Sequence, residues 1–169
     1  MAGIRTGQAN LYDHYSGRMM VVCLRYAKNR EEAEEILQDG FVNVFKYISQ
    51  FRNDGSLEGW IRKIMVNCAL QKYRNRLQLH RVISTDAMQT ENGYEQQIES
   101  NMSAKELLYT VQQLPPAYRM VFNLYVFEGM KHREIGALLR ISEGTSKSNL
   151  SDARSLLQKA LSTNIKLAK

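Results

Sequence analysis

Apolar residues return every three or four positions along most of the chain, the period of helices that bury one face. Over residues 11–28 the stripe is Leu11, Tyr15, Met19, Val22, Cys23 and Tyr26. A second helix is predicted behind Asn29, whose side chain suits the free amides of a helix start, with Glu31 and Glu32 at its positive end. Its stripe runs Ala33, Ile36, Leu37, Phe41, Val44, Phe45 and Ile48, and the opposite face carries Glu34, Glu35, Gln38, Asp39 and Asn43. Phe51 to Ser56 reads as a turn, with Asp54 or Ser56 placed to cap a third helix over 57–78. Trp60, Ile61, Ile64, Cys68 and Leu70 or Ala69 form its buried side. Arg62, Lys63, Lys72, Tyr73, Arg74 and Arg76 give it basic and aromatic groups as well.

The pattern resumes at Pro115-Pro116, which matches the preference for a proline in the first helical turn, where its own missing amide would have lacked a partner. Tyr118, Val121, Phe122, Leu124, Tyr125 and Val126 make the apolar side of this helix, and Glu128-Gly129 ends it. A short helix through His132, Glu134, Ile135, Leu138 and Leu139 leads into a turn at Arg140-Ile141-Ser142. Ser142 then caps a last helix that buries Leu150, Ala153, Leu157 and Leu161. A short helix, a tight turn and a capped second helix form the helix-turn-helix plan, whose second helix enters the major groove of DNA. Thr145, Lys147, Ser148, Asn149 and Ser151 lie on its predicted open side and can reach phosphates or base edges.

Between these halves the period is lost. Residues 77–104 are rich in Ser, Thr, Asn, Gln and Glu, and are predicted to be a flexible linker between a domain at 1–76 and another at 105–169. The fold class is therefore all-α, two small helical domains with the second a helix-turn-helix. The 169 residues include only 10 Gly and 2 Pro, fewer than strand-and-turn folds need.

Charge follows the same division. Residues 1–76 hold 12 Lys/Arg against 8 Asp/Glu (+4), residues 77–104 hold 1 against 4 (−3), and residues 105–169 hold 10 against 5 (+5), which accounts for the net +6. Two basic helical modules thus point to an anionic partner, while the acidic face of the second helix cannot be the surface that meets it. On the third helix, cations beside aromatic rings suit phosphates and unstacked bases.

Other classes are disfavoured. The longest apolar run, Met19 to Leu24, is far short of the roughly 20 residues that span a bilayer, and no export signal is predicted. Cys23 and Cys68 form no CxxC, and His14, His80 and His132 are scattered, so no metal site and no cofactor is expected and a reducing cytoplasm fits. No carboxylate cluster, HxH or Ser/His/Asp set shares a plausible site, so no enzyme and no small-molecule substrate is predicted.

The ordered motifs resemble the extracytoplasmic-function sigma factors, the two-domain promoter-recognition subunits of bacterial RNA polymerase. The resemblance rests on residues 29–41 (NREEAEEILQDGF), Phe51 to Trp60, Ile64-Met65-Val66-Asn67, Leu114 to Arg119, Glu134-Ile135 and Gly144 to Ser148, and covers nearly the whole chain. It implies that Glu34, Glu35, Gln38 and Asp39 dock on core RNA polymerase. It implies that Phe51, Arg52, Asn53, Asp54, Ser56 and Asn67 capture an unstacked base of the −10 element, with Arg62, Lys63, Lys72, Tyr73 and Arg74 along the strand. Thr145, Lys147, Ser148, Asn149, Ser151 and Arg154 are then the −35 readers, and an anti-sigma factor is a candidate further partner. The alternative is a stand-alone helix-turn-helix repressor with an N-terminal dimerisation domain.

Several positions depart from the family pattern. Val66 and Gln71 stand where Arg and Asp are common, and Asn149 and Asp152 where the recognition helix often has Arg. Ser146 replaces a small apolar residue, which predicts lost packing. Arg140 stands where the turn usually has Gly, and a left-handed backbone there would carry a strain of roughly 1 kcal/mol.

Overall fold

A computed structural model of the chain describes residues 2–83 and 104–167, with side chains over 6–79 and 105–162. Among the described residues the regular structure is seven α-helices and one 3-10 turn. They are α1 (Ala2–Tyr26), α2 (Arg30–Tyr47), α3 (Leu57–Ile83), α4 (Ala104–Gln112), α5 (Pro116–Val126), α6 (His132–Leu139) and α7 (Glu143–Leu167), with the 3-10 turn at Ile48–Gln50. The chain divides into two compact units, Met1–Asn75 and Arg76–Lys169. The predicted flexible linker falls largely on 84–103, outside the described residues. Its first part, 77–83, belongs instead to α3.

In the first unit α1 packs along α2, and α3 closes the core. Met19, Cys23, Ile36, Val44, Ile61 and Leu70 are buried, as the period requires, and so are Met65 and Val66. Ile48, predicted to be buried, is exposed because the helix tightens to 3-10 just there and turns it outward. Asn29 caps α2 by accepting from the Glu32 amide at 3.0 Å, and the Glu32 carboxylate accepts from the Lys28 amide at 2.6 Å. Two amides at the chain entry are thereby satisfied reciprocally, and Glu32 is buried in the process. α2 and α3 approach closely at Gly40, where any Cβ would overlap the Met65 sulfur.

The second unit packs α4, α5 and α6 around α7. Val111, from a helix the sequence pattern did not mark, and Leu114, just beyond its end, join Ala153 and Leu157 in a buried cluster with Tyr118 and Phe122 against it. Two polar residues of α5 are also buried: Arg119 donates to the Gln112 carbonyl, and Asn123 Nδ2 donates to the Arg119 carbonyl at 2.8 Å. Tyr125 and Val126, predicted on the apolar side, are 36% and 46% exposed. They occupy the last turn of α5, beyond the reach of the core.

Candidate nucleic-acid interface and partner surface

α2 builds the acidic surface. Its core stripe faces α1 and α3, which forces Glu34, Glu35, Gln38 and Asp39 outward, and all four are exposed. Glu34 accepts from Arg30 Nε at 2.8 Å, one turn earlier. Glu35 pairs with Lys72, which comes from α3. The residues predicted to meet a protein and those predicted to meet DNA are thus joined by an ion pair.

A groove of about 640 Å³ runs between α2 and α3, lined from one side by Asp39, Asn43 and Tyr47 and from the other by Asn67, Cys68, Gln71, Lys72 and Asn75. Four carboxamides on its walls, Asn43, Asn67, Gln71 and Asn75, can each donate and accept toward a base edge. Gln71 Nε2 donates to Asn75 Oδ1 at 3.0 Å, and Asn43 Nδ2 to Cys68 Sγ at 3.3 Å. Burial pushes the Cys68 thiol up, against the Asn43 hydrogen bond, with the Asp39 charge adding to the rise. Cys23, fully in the core, is pushed up to about 12 by burial first and the Cys68 charge second.

The loop ahead of α3 is shaped by few contacts. Arg52, Asn53, Asp54, Gly55 and Ser56 are exposed, and Asn53 takes a left-handed backbone (φ 57°) that its side chain tolerates. Phe51 is held on Trp60, ring centroids 5.6 Å apart, and its amide donates to the Ile48 carbonyl at 3.1 Å. Ser56 Oγ caps α3 by accepting from the Gly59 amide at 3.0 Å. Arg18 of α1 fixes the same helix start through Glu58 at 2.6 Å. Along α3 the helical period puts Lys63 and Asn67 on the outward face, whereas Arg62, Lys72, Tyr73 and Arg74 flank the buried one and are half-buried. The predicted strand contacts therefore do not form one flat row.

The second unit presents a helix-turn-helix. Glu134 accepts from the Lys131 amide at 2.7 Å at the start of α6. Arg140 ends it in the left-handed conformation (φ 58°, ψ 45°), so this residue does carry the strain that Gly would avoid. The turn folds back so tightly that the Ile141 amide donates to the Gly136 carbonyl at 3.0 Å. A Cβ on Gly136 would lie 2.8 Å from the Ile141 carbonyl oxygen. Ser142 Oγ accepts from the Thr145 amide at 2.9 Å and lies 2.8 Å from Thr145 Oγ1, which caps α7.

Of the predicted readers on α7, Thr145, Lys147, Ser148, Ser151 and Arg154 are exposed and Asn149 is half-buried. Lys147 pairs with Glu143 at 2.7 Å, and the Lys147 hydrogen bond and charge hold the Glu143 carboxyl below its usual range. Ser146 is fully buried, and its hydroxyl meets His132 Nδ1 at 3.0 Å. The packing predicted to be lost at this serine is replaced by a hydrogen bond between the two helices of the motif. Tyr125, His132 and Ser146 were not predicted as site residues. Ser146 stands out in the sequence only as a departure from the family pattern, and nothing local marks Tyr125 or His132, because the contacts cross three helices. Among the described residues no group of three or more His, Cys, Asp or Glu could hold a metal ion, and no helix is long and apolar enough to cross a membrane.

Two family models match the chain in order, sigma-70 region 2 over residues 11–77 and sigma-70 region 4 over residues 104–157. The extracytoplasmic-function (ECF) RNA polymerase sigma factor SigE of Mycolicibacterium smegmatis is 28% identical over 153 residues, covering 88% of this chain and 59% of that protein. SigW of Bacillus subtilis, also an ECF RNA polymerase sigma factor, is 28% identical over 165 residues, covering 90% and 88%. RNA polymerase sigma-H factor of Pseudomonas aeruginosa is 27% identical over 158 residues, covering 87% and 82%. The chain thus spans just over half of the first relative and most of the other two. Among solved structures, the sigma factor RpoE of Bartonella quintana, crystallised with the anti-sigma factor NepR, matches with a TM-score of 0.56 at 18% identity, covering 91% of this chain and 96% of that one. This likeness concerns the fold.

Proposed function

The chain belongs to the extracytoplasmic-function sigma factors of bacterial RNA polymerase, and from that premise we propose how its surfaces divide the work of starting transcription. The protein directs core polymerase to particular promoters and assists the opening of their DNA. It works in the cytoplasm and does no covalent chemistry. Binding energy alone drives the opening, because bases held after strand separation are unavailable in the duplex.

The observation that carries this reading is the segregation of surfaces. The exposed acidic face of α2 (Glu34, Glu35, Gln38, Asp39) repels phosphates and suits a basic or polar protein surface, the core polymerase. The loop 51–56 with Asn67 holds an unstacked −10 base, and Arg62, Lys63, Lys72, Tyr73 and Arg74 hold the strand. The carboxamides beside Asn67 give the groove between α2 and α3 further base-edge donors and acceptors. α7 carries Thr145, Lys147, Ser148, Asn149, Ser151 and Arg154 to the −35 duplex. Domains read over 1–76 and 105–169 would each carry one of the two DNA contacts, so that one chain can meet both promoter elements. An anti-sigma factor, such as the one crystallised with the Bartonella relative, is a partner of the class this chain would take. No observation favours the stand-alone repressor, since residues 11–77 match a sigma region rather than a dimerisation module.

The test is initiation in vitro. Core polymerase with this protein should start transcripts from a subset of a library of native upstream regions, with a steep salt dependence. Core polymerase alone should not. An absence of promoter-dependent transcripts across the library would overturn the reading.

A further inference from the structure

We propose that Tyr125 is a positioning residue for DNA recognition: its ring holds the Arg154 guanidinium ready for a phosphate, and His132 holds the ring. This rests on the reading of α7 as the −35 helix. Tyr125 sits at the end of α5, too exposed at 36% to serve the core, yet its ring is occupied. The His132 ring stacks on it, centroids 4.7 Å apart and planes 21° from parallel. The Arg154 guanidinium carbon lies 5.6 Å from the same centroid.

The chemistry of the contact fits a positioning role. A guanidinium over a ring uses its face, and its five N–H donors at the edge remain available for a phosphate. A carboxylate partner would have consumed those donors, as Glu143 does for Lys147 two turns earlier on the same helix. Arg154 stands seven residues, or about 10 Å, beyond Lys147 on the same side of α7, so the two cations fit successive points of one backbone path. An exposed arginine has many rotamers, and restricting them before DNA arrives removes part of the cost of binding.

His132 makes the platform rigid. Its stacked ring is also fixed from the far side, because Nδ1 meets the buried Ser146 hydroxyl at 3.0 Å. Ser146 is on α7, eight residues before Arg154. The platform therefore draws on α5, α6 and α7 together, and a shift of the recognition helix would break the hydrogen bond and the ring contact at once.

The experiment uses holoenzyme, with a labelled duplex carrying the upstream element of a promoter selected in the initiation assay. Affinity is measured over a salt series for wild type, Tyr125→Leu, Tyr125→Phe, Arg154→Ala and Tyr125→Leu/Arg154→Ala. Tyr125→Leu should weaken binding roughly threefold to fivefold and lower the salt slope by about one, a readout that simple loss of packing does not move. Tyr125→Phe should keep the wild-type slope, and the double variant should bind like Arg154→Ala alone. Additive losses, or an unchanged slope in Tyr125→Leu while Arg154→Ala lowers it, would overturn the platform and leave the reading of α7 standing. An Arg154→Ala holoenzyme that binds like wild type overturns the platform and Arg154's place in the −35 contact together.

Discussion

Lys72, on the helix assigned to promoter DNA, is ion-paired with Glu35, on the helix face assigned to polymerase. The pair spans the α2–α3 groove at its edge, with the lysine side chain 30% exposed and the glutamate 62%. At such exposure a pair adds little stability, on the order of 0.2–1 kcal/mol. Its significance is that the same ammonium can serve a carboxylate before DNA arrives and a phosphate afterwards. Lys72→Gln should therefore cost less than about 1 kcal/mol in denaturant unfolding while lowering the salt slope of promoter binding by about one. Glu35→Gln should keep or steepen that slope and weaken core-polymerase binding roughly threefold to tenfold. If both variants changed only the unfolding midpoint, neither residue would have its assigned partner.

The turn of the helix-turn-helix makes two opposite stability predictions. Gly136→Ala places a methyl against the Ile141 carbonyl oxygen, in a residue whose amide already donates to the carbonyl of the same glycine. The turn must open to admit it, at a cost of about 1–3 kcal/mol. Arg140→Gly removes a side chain from the left-handed region and should stabilise by up to roughly 0.5 kcal/mol, the strain of about 1 kcal/mol less the greater freedom of glycine in the unfolded chain. Denaturant melts of the full chain followed by helical circular dichroism measure both. A destabilised Arg140→Gly would show that the arginine makes compensating contacts.

Much of this arrangement is legible in the sequence because local rules decide it. Asn29, Ser56 and Ser142 cap their helices as their positions predict, and the stripes of α2 and α5–α7 bury most of the residues that the period selects. What is hidden depends on distant partners. The start of α1 at Ala2 brings no apolar stripe, since Thr6 to Asn10 are exposed and the backbone simply extends an existing helix. α4 is too short for a clear period, and its Val111, with Leu114 just after it, acquires a core only when Ala153 and Leu157 arrive. Arg119 and Asn123 look like surface residues until the carbonyls that accept from them are in place. The site follows the same logic: outward residues of α2 and α7 are readable from periodicity, but the Glu35–Lys72 pair and the Tyr125–His132–Ser146 contacts are not.

The two thiols should behave differently. Cys23 is 1% exposed with its pKa pushed up to about 12, while Cys68 opens on the groove. Near pH 8 iodoacetamide should label Cys68 slowly and Cys23 only through unfolding, as peptide mass spectrometry would reveal. The linkage has a definite sign. The folded pKa of Cys23 lies above the ordinary 9.0, so its stabilising contribution is complete below pH 9.0 and lost as pH rises toward 12. Wild type should therefore lose more stability than Cys23→Ala across that window. Equal losses would mean that the thiol ionises as freely in the fold as outside it.

Glu143 restrains the recognition helix. It sits in the first turn of α7, where its carboxylate binds Lys147 and suits the positive helix end, but on the proposed −35 reading it also places negative charge where DNA phosphates would come. Glu143→Gln should release Lys147 and tighten −35 duplex binding by holoenzyme roughly threefold to tenfold at low salt. The salt slope should steepen by up to one contact. The pH dependence separates this from a general charge effect. The Lys147 hydrogen bond, then its charge, keeps the folded pKa of Glu143 under the ordinary 4.5, so the pair's contribution is present above 4.5 and fades only as pH falls through the lower folded value. Across roughly pH 5–8 the carboxylate stays ionised, and the affinity ratio of variant to wild type should stay constant. A ratio that collapsed toward one within that range, or a variant that bound more weakly throughout, would show that Glu143 supports the contact instead of restraining it.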